Sequence, residues 1–237
     1  MISKSLCLCS GGLDSSLVLL KLLESNLEVT PFYVDYNHWS TEGELSTLKD
    51  FISWIRQHKL SRSHLVNGSL ADLVIVKADL GLRIGGVWGR SIALVGLASM
   101  WAFTHGNDYS YIAMGSHKGD ICPDCRPGLF DMELDAVLKE ATESKLSLFL
   151  PIRNYSIEEI GVELLGGKYE VPYELAYSCY WYPPCGYKSK NETYRCPGCR
   201  RKVIAMKAAS IEDPAKLDLP NCKERSYYPG SAERTVY

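Results

Sequence analysis

The run Ser10-Gly11-Gly12-Leu13-Asp14-Ser15-Ser16 packs two glycines, one acid and three hydroxyls between an apolar stretch and a leucine-rich one. Placed between a strand and a helix, such a run turns unsatisfied backbone N–H groups, and the positive end of the helix dipole, toward an anion. Gly11 and Gly12 allow close backbone approach, and Ser10, Ser15 and Ser16 add hydroxyl donors. Asp14 would repel a bare phosphate. It suits a phosphate that arrives with Mg2+, which takes carboxylate and phosphate oxygens together. The Lys-Ser/Thr pair of the Walker loop and the G-x-G-x-x-G spacing of dinucleotide folds are both absent. A second cluster, Cys179, Cys185, Cys196 and Cys199, lies near the other end, with Cys196 and Cys199 in a C-P-G-C knuckle. Four thiolates suit tetrahedral Zn2+ in a closed structural site. A redox C-x-x-C pair or unlinked cysteines are the other readings.

The elements that must position these groups follow from periodicity. Ser5 to Cys9 reads as a buried strand and Ser15 to Leu23 as a helix with leucines on one face. "LEVTPFYVDY" is a second strand ending near Asp35. "EGELSTLKDFISWIRQH" is helical through Leu45, Leu48, Ile52 and Ile55, and a third strand is expected near "SHLVNGS". "SIALVGLASMWAF" is an apolar helix that must lie against a sheet, and "YSYIAMGS" is a strand running into Gly115. "SIEEIGVELL" is a helix capped by Ser156, with Glu159 at the capping-box position. Strands alternating with helices predict an α/β, Rossmann-like parallel sheet with helices on both faces. From about Ser178 the texture becomes rich in Cys, Pro, Gly and aromatics, so a small C-terminal zinc-binding segment is expected. The division read from this is a domain over 1–177, a four-cysteine segment over 178–210 and a polar tail over 211–237. Cys7 and Cys9 are read as core residues on opposite faces of the first strand.

The bulk numbers narrow the function classes. A chain of 237 residues with 46% hydrophobic and 23% charged residues can bury a sizeable core. A net charge of −2 offers no whole-face field for a nucleic-acid backbone, so direct nucleic-acid binding is not expected. No apolar run reaches the length of a membrane span. Nine cysteines, an odd number, in a chain of this size without a secretory signal point to a reducing, cytoplasmic setting rather than a disulfide scaffold.

The "SGGLDSS" loop resembles the pyrophosphate loop of N-type ATP pyrophosphatases, which activate a carboxylate or carbonyl by adenylation. Together with the cysteine cluster it resembles the QueC family, the 7-cyano-7-deazaguanine synthases. "VDY" at Val34–Tyr36 looks like that family's second-strand segment, and "GRS" at Gly89–Ser91 like its GRN segment. "GSHKGD…PDCRPGLFD" looks like its G-x-x-x-x-D…PDCR segment, and "SCY…CG…CxxCRR" like its zinc region. The resemblance implies an ATP-dependent ligase that adenylates 7-carboxy-7-deazaguanine and converts it with ammonia to the amide and then the nitrile. It implies ATP, Mg2+ and Zn2+, and a homodimer. Site residues carried over are Ser10 to Ser16, Asp35 and Gly115 for the nucleotide, with Asp14 and Ser15 in the chemistry. Arg90, Asp120, Asp124, Cys125 and Arg126 are carried over for the substrate, with Arg90, Asp120 and Arg126 as catalytic candidates. An arginine suits phosphate or carboxylate through its bidentate fork.

The match departs from the family at the expected base pocket. The family has D-Y-G-Q-x-H where this chain has "DYNHWST", so Asn37 and His38 stand there. GRN ends in Ser91, the stretch before Gly89 is short, and the family's C-G-x-C is opened to "CGYKSKNETYRC". The nucleotide end is kept and the acceptor end is altered. A different carboxylate or amine acceptor is therefore an alternative, including a protein in an anti-phage defence setting. A tRNA-modifying enzyme of the same loop class and a non-catalytic zinc-stabilised nucleotide-binding module complete the alternatives.

Overall fold

The computed structural model describes residues 3–38, 40–58, 68–78, 89–106, 108–120, 129–179 and 197–212. The chain alternates as the periodicity requires: β1 (Lys4–Leu8), α1 (Leu13–Glu24), β2 (Glu28–Asp35), α2 (Thr41–His58), β3 (Ser69–Leu70), β4 (Val74–Lys77), α3 (Arg90–Thr104), β5 (Tyr109–Ala113), α4 (Leu129–Ala141), β6 (Ser147–Phe149), α5 (Ile157–Leu165) and α6 (Pro197–Ala208). All strand pairs are parallel, in the order β3-β2-β1-β5-β6, with β4 pairing the second half of β2. This is the expected Rossmann-like α/β sheet.

The chain winds one way from β1 through β2 to β3 and β4, then returns across β1 to β5 and β6. The reversal falls between β1 and β5. In such sheets the loops at the carboxyl ends of the strands part there and leave a crevice. The turn after β1 holds "SGGLDSS", and the turn after β5 holds Gly115 to Asp120.

Two cores flank the sheet. On one face Leu17, Leu20, Val29, Phe51, Ile55, Ile160 and Leu164 join α1, α2 and α5. On the other, Leu6, Phe32, Val95, Ala98, Ala102 and Ile112 seat α3. The α1 helix is buried on nearly every side rather than along one leucine face. The α3 helix buries only the stripe Ser91, Val95, Ala98 and Ala102, and Ile92 and Met100 stay exposed.

Cys7 and Cys9 correct one expectation. They are core residues, but on the same face of the first strand, with Sγ atoms 3.3 Å apart. Residues two apart on a strand share a face, and Leu6 and Leu8 occupy the other. The strand expected near residues 63–69 begins in β3 at Ser69. The longer pairing with β2 is made by β4, which sequence reading did not name.

The α6 helix belongs to the first core, through Ala205 and Met206. It lies so close to α5 that a Cβ on Gly161 would fall 2.2 Å from the carbonyl oxygen of Ala205. Only glycine permits this approach. It fixes the face of α6, one turn before Ala205, that carries Arg201.

Candidate active site

The N-terminus of α1 has no side-chain cap, its N-cap being Gly12. The α5 helix, by contrast, has the full capping box, Ser156 Oγ accepting from Glu159 N–H at 3.2 Å and Glu159 Oε2 from Ser156 N–H at 2.6 Å. The first turn of α1 is thus left open toward the crevice. Gly11 sits at φ +72°, and a Cβ there would meet the Glu44 carbonyl oxygen at 2.9 Å. Its own carbonyl accepts from Tyr177 N–H at 2.6 Å, which ties the C-terminal part of the chain to the loop. Ser15 Oγ accepts from Ser10 N–H at 3.2 Å, donates to the Gly12 carbonyl at 3.3 Å and lies 3.4 Å from Ser10 Oγ, so the two hydroxyls sit side by side at the loop.

A cavity of about 270 Å3 runs from this loop across the carboxyl ends of the strands. Ser10, Gly12, Leu13, Asp14, Ser15, Gly115 and Asp120 line it around the loop, Tyr36, His38 and Arg90 line it where α3 begins, and Glu44 lies between, its backbone against Gly11. Among the expected residues, Gly11 and Ser16 lie behind the wall. Asp35 is outside it, with Oδ1 turned back to accept Asn37 N–H at 3.0 Å. Gly115 allows β5 to pack on the loop, since a Cβ would fall 2.9 Å from that of Asp14. Asp124, Cys125, Arg126, Cys185 and Cys196 lie outside the described residues. Cys179 and Cys199 are both buried and both flank Lys202. Burial pulls the Lys202 ammonium pKa down to about 8, while the cysteines and Glu174 act in the opposite direction. Among the described residues no three His, Cys, Asp or Glu side chains are set to enclose a metal ion by themselves.

At the loop end four charged or titratable groups meet. Arg201 Nη2 donates to Asp14 Oδ2 at 2.9 Å and lies 3.6 Å from Asp120 Oδ1. The same nitrogen abuts Nε2 of His117. His117 Nε2 is 3.5 Å from Asp120 Oδ1 and 3.9 Å from Asp14 Oδ1. Burial holds the Asp120 carboxyl above its usual range, against the pull of His117, and Asp14 adds to the rise. Asp14 Oδ1 is buried without a hydrogen-bond partner. Two carboxylates, one of them with an unpartnered oxygen, would suit a divalent cation whose other ligands are phosphate oxygens, as Mg2+ prefers. Sequence reading missed His117 and Arg201. Their signals were present, in the "GSHKGD" stretch and in the paired arginines after the last cysteine of the cluster.

At the far end Arg90 opens α3 behind an N-cap glycine, Gly89, at φ +81°. Arg90 Nη1 approaches Tyr36 OH at 3.5 Å. His38 is buried, 6% exposed, and its ring packs against Tyr36 at 5.2 Å between centroids. Burial, and then the charge of Arg90, push the His38 pKa down to about 4, so the imidazole is neutral near pH 7.

Comparison with known proteins places the chain in a family. The model of the family "Queuosine biosynthesis protein QueC" matches residues 4–210. The 7-cyano-7-deazaguanine synthase of Thermoplasma volcanium is 27% identical over 91% of both chains. That of Leptospira interrogans is 29% identical over 75% of this chain and 78% of its own. Among solved structures, a 4-thiouridine synthetase in complex with RNA and ATP superposes with a TM-score of 0.50 at 16% identity. The match covers 88% of this chain and 53% of that one, and it shows a shared fold. With the family model matched from the first strand through the last helix, the chain belongs to the QueC family.

Proposed function

We propose that the protein is an ATP-dependent ligase that adenylates the carboxylate of a 7-deazaguanine and passes the acyl group to ammonia, giving the amide and then the nitrile. The observation that carries this reading is one cavity lined both by the loop and by a second group of unlike residues. Around the loop are an open helix N-terminus and the unpartnered Asp14 oxygen, and in the second group Arg90 beside a neutral imidazole. The first suits the phosphates of ATP and the second a planar base bearing an acid. Relatives carrying the synthase name across 91% of the chain support the same reading.

In this mechanism the α1 N-terminus and the Ser10 and Ser15 hydroxyls hold the pyrophosphate that departs. Asp14 and Asp120 are the carboxylates that would hold Mg2+, which when bound offsets charge building on the phosphates. Arg201 and His117 keep the two carboxylates in place. Arg90 orients the substrate carboxylate by paired N–H donation. Positioning and charge stabilisation supply most of the acceleration. Asp124, Cys125 and Arg126 are assigned to the substrate rim. Cys179, Cys185, Cys196 and Cys199 are assigned to a structural Zn2+ anchoring residues 178–210 on the 1–177 domain. We assign the exposed apolar stripe of Ile92, Met100, Met132 and Val137 to a homodimer interface.

The test is pyrophosphate release from Mg-ATP with and without 7-carboxy-7-deazaguanine and ammonium, with the product weighed by mass spectrometry. Release that requires the acid, with a nitrile mass, is expected. Release indifferent to the acid would overturn this acceptor and send the search to another carboxylate.

A further inference from the structure

The chemistry of nitrile formation makes a demand that the phosphate machinery does not meet. Ammonia attacking an acyl adenylate forms a C–N bond and breaks the C–O bond to AMP, and the nitrogen must release one proton. Activation of the amide oxygen, with loss of pyrophosphate, takes a second proton from nitrogen. Loss of the second AMP takes the third as the C≡N bond forms. A base must therefore face the nitrogen and be reset between steps.

Beside Arg90 lies a hydrogen-bonded chain with one open end. Glu44 Oε2 accepts from Tyr33 OH at 3.0 Å, and Glu44 Oε1 accepts from Ser40 Oγ at 2.6 Å. Ser40 Oγ is 2.6 Å from His38 Nδ1. His38 Nε2, on a ring that lines the cavity, is buried and has no hydrogen-bond partner. His117, the other buried imidazole among the described residues, has a partner at each ring nitrogen, as a buried polar group should. An orphan at the wall of a cavity is a group kept for a ligand.

Resting on the ligase reading above, we propose that Glu44, Ser40 and His38 form a proton relay. Its open end, His38 Nε2, takes the protons released by the attacking nitrogen. In the receiving state Glu44 is a carboxylate, Ser40 donates to it, and His38 Nδ1–H donates to Ser40, so Nε2 offers a lone pair. When Nε2 binds a proton, the Nδ1 proton moves to Ser40 Oγ and the Ser40 proton moves to Glu44. The loaded state holds one added proton, on a neutral carboxylic acid, with His38 again neutral. The backbone N–H of Ser40, 3.2 Å from Nδ1, stabilises that state. The relay resolves a local conflict. Burial and Arg90 oppose an imidazolium here, and the relay lets His38 act as a base without becoming one. Burial also raises the Glu44 carboxyl, against its bonds from Ser40 and Tyr33 and the charge of Arg90, which brings the loaded state within reach. His38 is a catalytic residue in this scheme, and Ser40 and Glu44 are positioning residues.

The experiment compares the unaltered protein, His38→Gln, Ser40→Ala and Ser40→Thr. Adenylation is read as ATP–pyrophosphate exchange dependent on 7-carboxy-7-deazaguanine, and product as amide plus nitrile with ammonium present. In His38→Gln, product formation should fall at least about 100-fold more than exchange does, within the range of acid–base contributions. In Ser40→Ala the product rate should fall, and the acid limb of its pH profile should move down. Proton uptake then shifts from the Glu44 carboxyl to an imidazole facing Arg90, Tyr36 and the Glu44 charge. Ser40→Thr should restore both rate and limb. An equal loss of exchange and product in His38→Gln, or an unmoved acid limb in Ser40→Ala, overturns the relay and leaves the ligase reading standing. No acid-dependent exchange by the unaltered protein overturns both.

Discussion

Single side chains decide the chemistry at each end of the cavity. Asp14 is paired through Oδ2 with Arg201 and leaves Oδ1 without a partner. Asp14→Asn should keep the fold and lower pyrophosphate release by at least about 100-fold, because a neutral amide cannot share a divalent cation with phosphate. Steady-state release at saturating Mg-ATP checks this. His38 carries a stability signature apart from its chemistry. Its folded pKa of about 4 lies below the ordinary value of 6.5. The unfolded chain therefore binds more protons between those values. Stability is full above about pH 6.5 and declines as pH falls toward 4. Urea unfolding at pH 7 and pH 4.5 should show a decline for the native chain that His38→Gln removes in large part. The groups missed in the sequence also belong to this scale. Arg201 lies 187 positions from Asp14 and 84 from His117. No local pattern records such a meeting, so only the loop half of the cluster could be read from spacing.

Elements carry these side chains to their places through a few close approaches. Gly161 is the tightest, since a Cβ would meet three backbone atoms of Ala205 within 2.6 Å. Backbone cannot rotate aside as a side chain can, so Gly161→Ala should push α6 off α5. Overpacking of this kind costs about 1–3 kcal/mol, partly offset by the better helix propensity of alanine. The expected outcome is a lower melting temperature together with weaker Mg-ATP binding, because Arg201 moves with the helix. Binding calorimetry and a thermal melt distinguish this from a purely local defect. The α5 cap was legible because a capping box is a four-residue code with a local mechanism. By contrast, β4 and β6 have four and three residues and take their stability from neighbouring strands. Their short runs carry no period long enough to read. In β1 a two-residue spacing decides the face, and it places both cysteines together.

For the whole molecule the decisive feature is the sheet reversal between β1 and β5, which opens the crevice over both loops. Alternation of strands and helices made the layers legible in sequence. The loop motif sat at the first strand–helix junction, where an anion site is built. On the crevice's far wall Arg90 and His38 were legible, whereas Glu44 was not, because an acid in the first turn of a helix reads as a complement to the helix dipole. If Cys179 and Cys199 belong to one zinc site, that site also governs α6, since Cys199 and Arg201 share a helix. Removal of zinc with a chelator should release one equivalent per chain and abolish pyrophosphate release. Far-UV circular dichroism should retain most of its amplitude, because the parallel sheet does not depend on the metal. Readdition of zinc should restore activity.

The Asp14–Arg201 pair has a consequence in time as well as in space. A ribosome delivers the loop among the first residues and its guanidinium partner nearly two hundred residues later. During synthesis the sheet can assemble around an anion cradle that has no counter-ion for its acid. A nascent chain, or a fragment cut within residues 180–196, would therefore lack both the guanidinium partner of Asp14 and the α6 side of the first core. On the ligase reading, turnover begins only when α6 docks and brings Arg201 to Asp14.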